Sequence, residues 1–232
     1  MDQATTSTTE AMAVDLETPA PSFASAFAQQ DTVTLFVGAD EDSLVAHESY
    51  LTKNSEFFEA AMKKEWAEGQ TRVIRLPEDD LETMTDYLTF SYSGILPTSN
   101  VIEEGRDLAN NDWQSLAKLY VLGERILDKC VRNAVVSEIL RISETTDEQG
   151  LSEFMPAAAS NMIFDGTPEP SPIRRMAIDK HVFNGQEHWL ELGEDHPALI
   201  IGVAQALLVK VRHRQPYEDF RGRQLKAEDY FV

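Results

Sequence analysis

The chain has 232 residues, 42% of them hydrophobic, enough to bury the core of one sizeable domain or two small ones. Forty acidic residues against twenty basic ones leave a formal net charge of −20, which repels phosphate backbones and anionic headgroups and disfavours binding to nucleic acid or a membrane surface. The longest apolar run, 198–209, is shorter than the roughly 20 residues of a membrane span, no secretory or mitochondrial leader pattern opens the chain, and its one cysteine forms no intrachain disulfide, so an intracellular protein of cytoplasm or nucleus is expected.

Residues 1–21 are Thr, Ser, Ala and Pro with scattered acids, too poor in large apolar groups to offset the entropy of ordering; a disordered tail is expected there. Phe23 and Phe27, at i and i+4 in an Ala-rich stretch, suit one helical turn anchored on the first strand. From Asp31 the period changes. Residues 32–37 alternate small polar with large apolar side chains and stop at Gly38, the pattern of a half-buried strand entering a turn. Asp40, Glu41 and Asp42 supply that turn, and 43–46 returns as the second strand of a hairpin. After His47, residues 48–51 begin a helix that Asn54 and Ser55 interrupt, with Ser55 placed to cap the next one. That helix carries Phe57, Phe58, Ala61 and Met62 at helical spacing, an apolar set that packs under the sheet.

Residues 71–76 read as a short third strand ended by Pro77. Asp79 or Asp80 then caps a helix in which Leu81, Met84, Tyr87, Leu88 and Tyr92 share a face, and Gly94 suits the left-handed residue that ends it. Past a polar insertion at 98–111, Trp113, Leu116, Ala117, Tyr120, Val121 and Leu122 recur at helical spacing, as do Ile126, Leu127, Val131, Val135, Ile139 and Leu140. Cys130 sits among the second set, and its neighbours Ile126, Leu127 and Val131 predict a reduced, core-facing thiol. Further helical pieces are expected over 151–164, 173–182 and 198–211, too interrupted for an independent core and therefore packed on the preceding unit. Strands and helices so mixed make an α+β fold: a small three-stranded sheet capped by helices, with additional C-terminal helices.

In order and spacing these residues resemble the BTB/POZ domain. The matching phrases are Asp31 through Gly38, Val45-Ala46-His47, Leu51 to Ser55, Phe57-Phe58-Glu59-Ala60-Ala61-Met62, Trp66-Ala67-Glu68-Gly69, Val73 through Asp80, and Tyr87-Leu88 to Tyr92-Ser93-Gly94. The helices from Trp113 to Ile142 look like the family's closing helical pair. On this reading 22–143 is the BTB/POZ domain and 150–232 a C-terminal helical extension. The Leu119-Tyr120-Val121-Leu122-Gly123-Glu124 and Ser171-Pro172-Ile173-Arg174-Arg175 phrases look most like short fungal members of the family.

The resemblance implies a protein-interaction module that acts as scaffold or oligomerisation domain, with no catalysis and no cofactor. Many members homodimerise, and many recruit cullin-3 as ubiquitin-ligase substrate adaptors through a hydrophobic-x-Glu motif. Trp66-Ala67-Glu68 stands at that place, and an exposed aromatic anchor beside a directional acceptor is a sound way to give a small interface both area and register. The partner-binding set expected is Phe57, Met62, Trp66, Glu68, Tyr92 and Trp113. No MATH, Kelch or zinc-finger segment accompanies the domain pattern, and the amphipathic helix that precedes the first strand in exchanged dimers is short or missing.

Other chemistry finds less support. His47 beside Glu48 invites a catalytic reading, but the family pattern makes that His structural, bonded to backbone where strand meets helix. His181, His188 and His196, with Glu187, Glu191, Glu194 and Asp195 nearby, raise a metal-dependent enzyme as an alternative, although their spacing does not put two imidazoles on one helical face. No phosphate loop, nucleophile elbow or dinucleotide fingerprint occurs. The one basic cluster, Lys210, Arg212, His213, Arg214, Arg221, Arg223 and Lys226, is interrupted by Glu218 and Asp219 and is expected to pair with the chain's own acids.

Overall fold

The computed structural model describes residues 31–98, 110–144, 154–185, 190, 193–213 and 224–232. The expected tail at 1–21, the Phe23–Phe27 turn, most of the 98–111 insertion, His188 and the basic residues 214–223 lie outside the described residues. No helix among the described residues is long and apolar enough to cross a membrane.

Alternation makes Thr32–Val37 a strand, β1, whose Val33, Leu35 and Val37 are wholly buried. It pairs antiparallel with β2, Asp42–His47, setting Leu35 opposite Leu44 and Val33 opposite Ala46. The turn between them uses Gly38 at φ 74° and Glu41 at φ 53°, both in the left-handed region. On its other side β1 pairs parallel with β3, Val73–Leu76, so the strand order is β2-β1-β3 and both outer strands are edges.

A parallel partner demands a crossover, and three short helices make it: α1 (Glu48–Thr52), α2 (Glu56–Ala61) and α3 (Ala67–Thr71). Ser55 caps α2, its hydroxyl accepting from the Phe58 N–H at 3.1 Å. The sequence reading extends the third strand back to Thr71. Instead Thr71 closes α3, and Arg72 turns the chain at φ 60° while its guanidinium pairs with Asp31 at 2.7 Å and with Glu48. Five residues holding only Ala67 as an apolar member carry no readable helical period.

Asp80 caps α4 (Leu81–Ser93), accepting from the Thr83 N–H at 2.9 Å and from its hydroxyl at 2.8 Å, and Gly94 ends it at φ 73°. The buried arc of α4 centres on Tyr87 and runs from Phe90 to Leu88. Leu81 and Tyr92 lie just past the Leu88 edge and are exposed, so the expected five-residue face is narrower at that side.

Helices α5 (Asn110–Arg125) and α6 (Lys129–Ser143) form the second layer. Between them Leu127 takes φ 55°, and Asp128 caps α6 through the N–H groups of Cys130, at 2.8 Å, and Val131, at 3.1 Å. The buried carboxylate also accepts from the Tyr87 hydroxyl at 3.0 Å, while Ser55 donates to the Ile126 carbonyl at 2.6 Å. Cys130 is exposed, contrary to expectation. On a helix the next residue points about 100° away, and Val131, Val135 and Ile139 take the inward face.

The C-terminal helices α7 (Ala157–Gly166), α8 (Pro172–Asn184) and α9 (Pro197–Arg212) join the same body, since residues 31–232 form one compact unit. Glu124 of α5 explains the attachment: it pairs with the largely buried Arg132 at 2.7 Å and accepts from the Ser171 hydroxyl at 2.6 Å. Ser171 also lies 3.2 Å from the Tyr120 hydroxyl, whose acidity burial weakens to a pKa of about 12. Pro172 starts α8 where a missing N–H is harmless.

Two substitutions test this account. Asp128→Ala removes a helix cap and leaves the Tyr87 hydroxyl buried without its acceptor, a loss of about 3 kcal/mol in urea unfolding, whereas Asp128→Asn keeps acceptor and shape and loses about 1 kcal/mol. Lys180 of α8 is buried, donating to the Ser143 carbonyl at 3.3 Å, and burial holds its ammonium below the ordinary value of 10.5 despite nearby Glu144. The unfolded chain then binds that proton more readily, so stability rises as pH climbs from the lowered value towards 10.5. Lys180→Met keeps the stem, adds about 1 kcal/mol at neutral pH and flattens the alkaline rise.

Candidate functional site

The Phe58 side of α2 is committed to the core, which leaves Phe57 half-buried on the next face, in edge-to-face contact with Phe58 at 5.2 Å between ring centroids. Beside it Ala60 and Ala61 are small enough to leave a hollow rather than a ridge. After α2 the chain folds back through a turn in which the Trp66 N–H donates to the Lys63 carbonyl at 3.0 Å and the Gln70 amide to the Lys64 carbonyl at 2.9 Å. Gly69 makes that fold-back possible, because a Cβ there would collide with the Lys63 carbonyl.

The result is a groove of about 490 Å³ floored by Phe57, Ala60 and Ala61 and walled by Trp66, Glu68, Val73, Ile74 and Arg75. Phe57 and Arg75 also line an adjoining hollow of about 310 Å³ that reaches Pro77, Glu78, Asp79 and Arg125. Trp66 is 59% exposed. Glu68 stands on one wall, half-buried, and Arg75 on another, bonded to Glu41 at 3.2 Å and stacked 5.2 Å over the Phe36 ring. The groove thus sets an apolar floor between a carboxylate on one wall and a guanidinium on another.

Of the six expected partner-binding residues, the structure brings Phe57, Trp66 and Glu68 to this groove. Tyr92 lies elsewhere, its hydroxyl accepting from the His47 backbone N–H at 2.8 Å and standing 3.0 Å from His47 Nδ1, its ring 4.5 Å from that of Tyr50. A side-chain hydroxyl is therefore among the partners of His47, where backbone was expected. Met62, 8% exposed, and Trp113, 1% exposed, are core residues and offer no surface. Met62 follows α2 on the Phe58 side, and Trp113 falls in phase with Leu116, Ala117 and Tyr120. Val73 and Arg75 are groove residues that sequence reasoning missed. Their signal is weak: an alternating edge strand whose outward positions face a hollow.

Of the three C-terminal histidines, the two that lie among the described residues, His181 and His196, have separate partners. His181 is buried, its Nδ1–H donating to the Ala177 carbonyl at 2.7 Å. His196 caps α9, Nδ1 accepting from the Ala198 N–H at 3.1 Å, which leaves Nε2–H to face Asp165 at 3.4 Å. No group of three or more His, Cys, Asp or Glu among the described residues is placed to hold a metal ion. No protein-family model matches the chain, and neither does any curated protein.

If the groove is a surface and not part of the core, its two aromatic neighbours respond differently to truncation. Phe58→Ala lowers unfolding stability by about 4 kcal/mol, and Trp66→Ala changes it by no more than about 0.5 kcal/mol, both read by chemical denaturation.

Proposed function

We propose that this chain is an intracellular, non-enzymatic protein-interaction module of the BTB/POZ type that docks a partner segment in the Phe57–Trp66–Arg75 groove. The observation that carries this reading is Trp66: a large aromatic, 59% exposed, held by a tightly bonded turn at the rim of an apolar hollow. Rigid aromatics so placed dominate binding energies. The order of hairpin, crossover helices, parallel strand, capped helix and helical pair supports the family resemblance stated from the sequence.

A second reading, recruitment of cullin-3 as a substrate adaptor, draws support from the same place. Trp66 and Glu68, the hydrophobic and acidic members of the motif, line one groove, with the aromatic outward.

Proximity labelling with the native chain yields a partner set that Trp66→Ala and Glu68→Ala deplete and Val45→Ala, at an exposed site on β2, leaves intact. For a purified partner the Trp66 change weakens binding about 30-fold, the value of a hot-spot aromatic. Partners indifferent to both groove changes would sink the docking role of the groove. For the second reading, purified cullin-3 is mixed with the same variants. Binding that weakens at both positions supports an adaptor, and no binding to the native chain removes it.

A further inference from the structure

Helix α9 is apolar on two sides, and the fold uses one of them. Leu199 and Val203 are buried, and Gly202 approaches Ile178 of α8 closely. The outer side carries Ile201, Leu208 and Val211 at 55%, 67% and 71% exposure, with Ala204 between them. Positions 201, 204, 208 and 211 repeat at intervals of three, four and three, the spacing of a seam between two helices. Of the thirteen large apolar residues exposed among the described residues, five fall on this one helix. A helix apolar all round is ordinarily covered.

The charges around α9 say by what. No acid occurs between Pro197 and Arg212, in a chain with forty of them. Exposed acids stand instead at its N-terminal end, where Asp165 faces the capping His196 and Glu194 precedes it, and exposed Arg212 and His213 stand at its C-terminal end. We propose that α9 is a self-association surface on which a second copy of this chain lays its own α9 antiparallel. The register that sets Ile201 against Leu208 of the second copy also sets Ala204 against its Gln205 and Arg212 against its Pro197. The small Ala204 then lies at the crossing, and each basic end meets the acids at the start of the other helix. Two-fold symmetry repeats every contact, so one self-complementary stripe supplies both halves of the interface. This surface is separate from the groove, and the proposal stands independently of what the groove binds.

Sedimentation of the full chain over a micromolar concentration series tests it. The native chain dimerises. Leu208→Glu, at an exposed site that leaves the monomer's circular dichroism unchanged, weakens the dimer about 100-fold because the contact is made twice. Arg212→Glu also weakens it, and Asp165→Arg in the same chain restores it. A native chain that stays monomeric overturns the proposal, whether α9 then binds anionic vesicles, another protein or nothing. So does a dimer that survives Leu208→Glu, or a charge reversal that is silent or that the paired change does not repair.

Discussion

The carboxylate of Asp128 joins the two layers of the molecule. It is buried, and an ionised group in that position is tolerated only when donors surround it. Two of those donors are the N–H groups of Cys130 and Val131 in the first turn of α6, and the third is the hydroxyl of Tyr87, which comes from α4. Burial and the neighbouring carboxylate both weaken the acidity of that phenol, so it stays protonated and its O–H needs an acceptor. Satisfying Asp128 therefore fixes where α4 lies against α6. The same turn reaches the groove: the Ile126 carbonyl accepts from the Ser55 hydroxyl and from the Phe57 N–H at 3.3 Å, and Asp128 bridges Ser55 through the backbone. The position of Phe57, and with it the floor of the groove, follows from a capping residue on another helix.

What was legible in the sequence is what depends on near neighbours. The alternation of β1, the cap at Ser55, a cap at Asp79 or Asp80 and the left-handed Gly94 each follow from a few adjacent side chains, and all four stand in the structure, which selects Asp80 of the two acids. Asp128 was not legible as a hub, because the residue that completes it is 41 positions away in the chain. The same limit governs the candidate site. An aromatic such as Trp113 has identical chemistry in a core and at an interface, and only long-range packing separates it from Trp66. Cys130 went the other way: apolar neighbours in sequence placed it inside, while the phase of α6 turns it to solvent.

The C-terminal helices are positioned by polar groups as well as packed by apolar ones. Glu124, Arg132, Ser171 and Tyr120 form one hydrogen-bonded set between α5, α6 and the start of α8, and Arg174 locks the preceding turn through the Phe164 and Thr167 carbonyls and the Thr167 hydroxyl. Buried ionic groups contribute little net stability, but they tolerate few alternative arrangements once any member is in place. That restriction explains how helices connected by Pro-rich turns come to share one compact unit with the sheet. The two phrases that prompted the narrower family resemblance, 119–124 and 171–175, are the two that meet here.

Charge then decides which parts of this surface can meet another protein. A net charge of −20 opposes contact with any acidic partner, a second copy included. Two segments escape that penalty. From Ser55 to Pro77, Glu56, Glu59, Glu65 and Glu68 are balanced by Lys63, Lys64, Arg72 and Arg75, and from Pro197 to Arg212 there are two cations and no acid. The first holds Trp66 and the groove, and the second holds the outer stripe of α9. Other exposed apolar residues, such as Val45 and Leu127, fall outside both segments, and scattered apolar side chains are ordinary on any surface. Where apolar clustering and local neutrality coincide, desolvation costs least and charge repulsion is weakest.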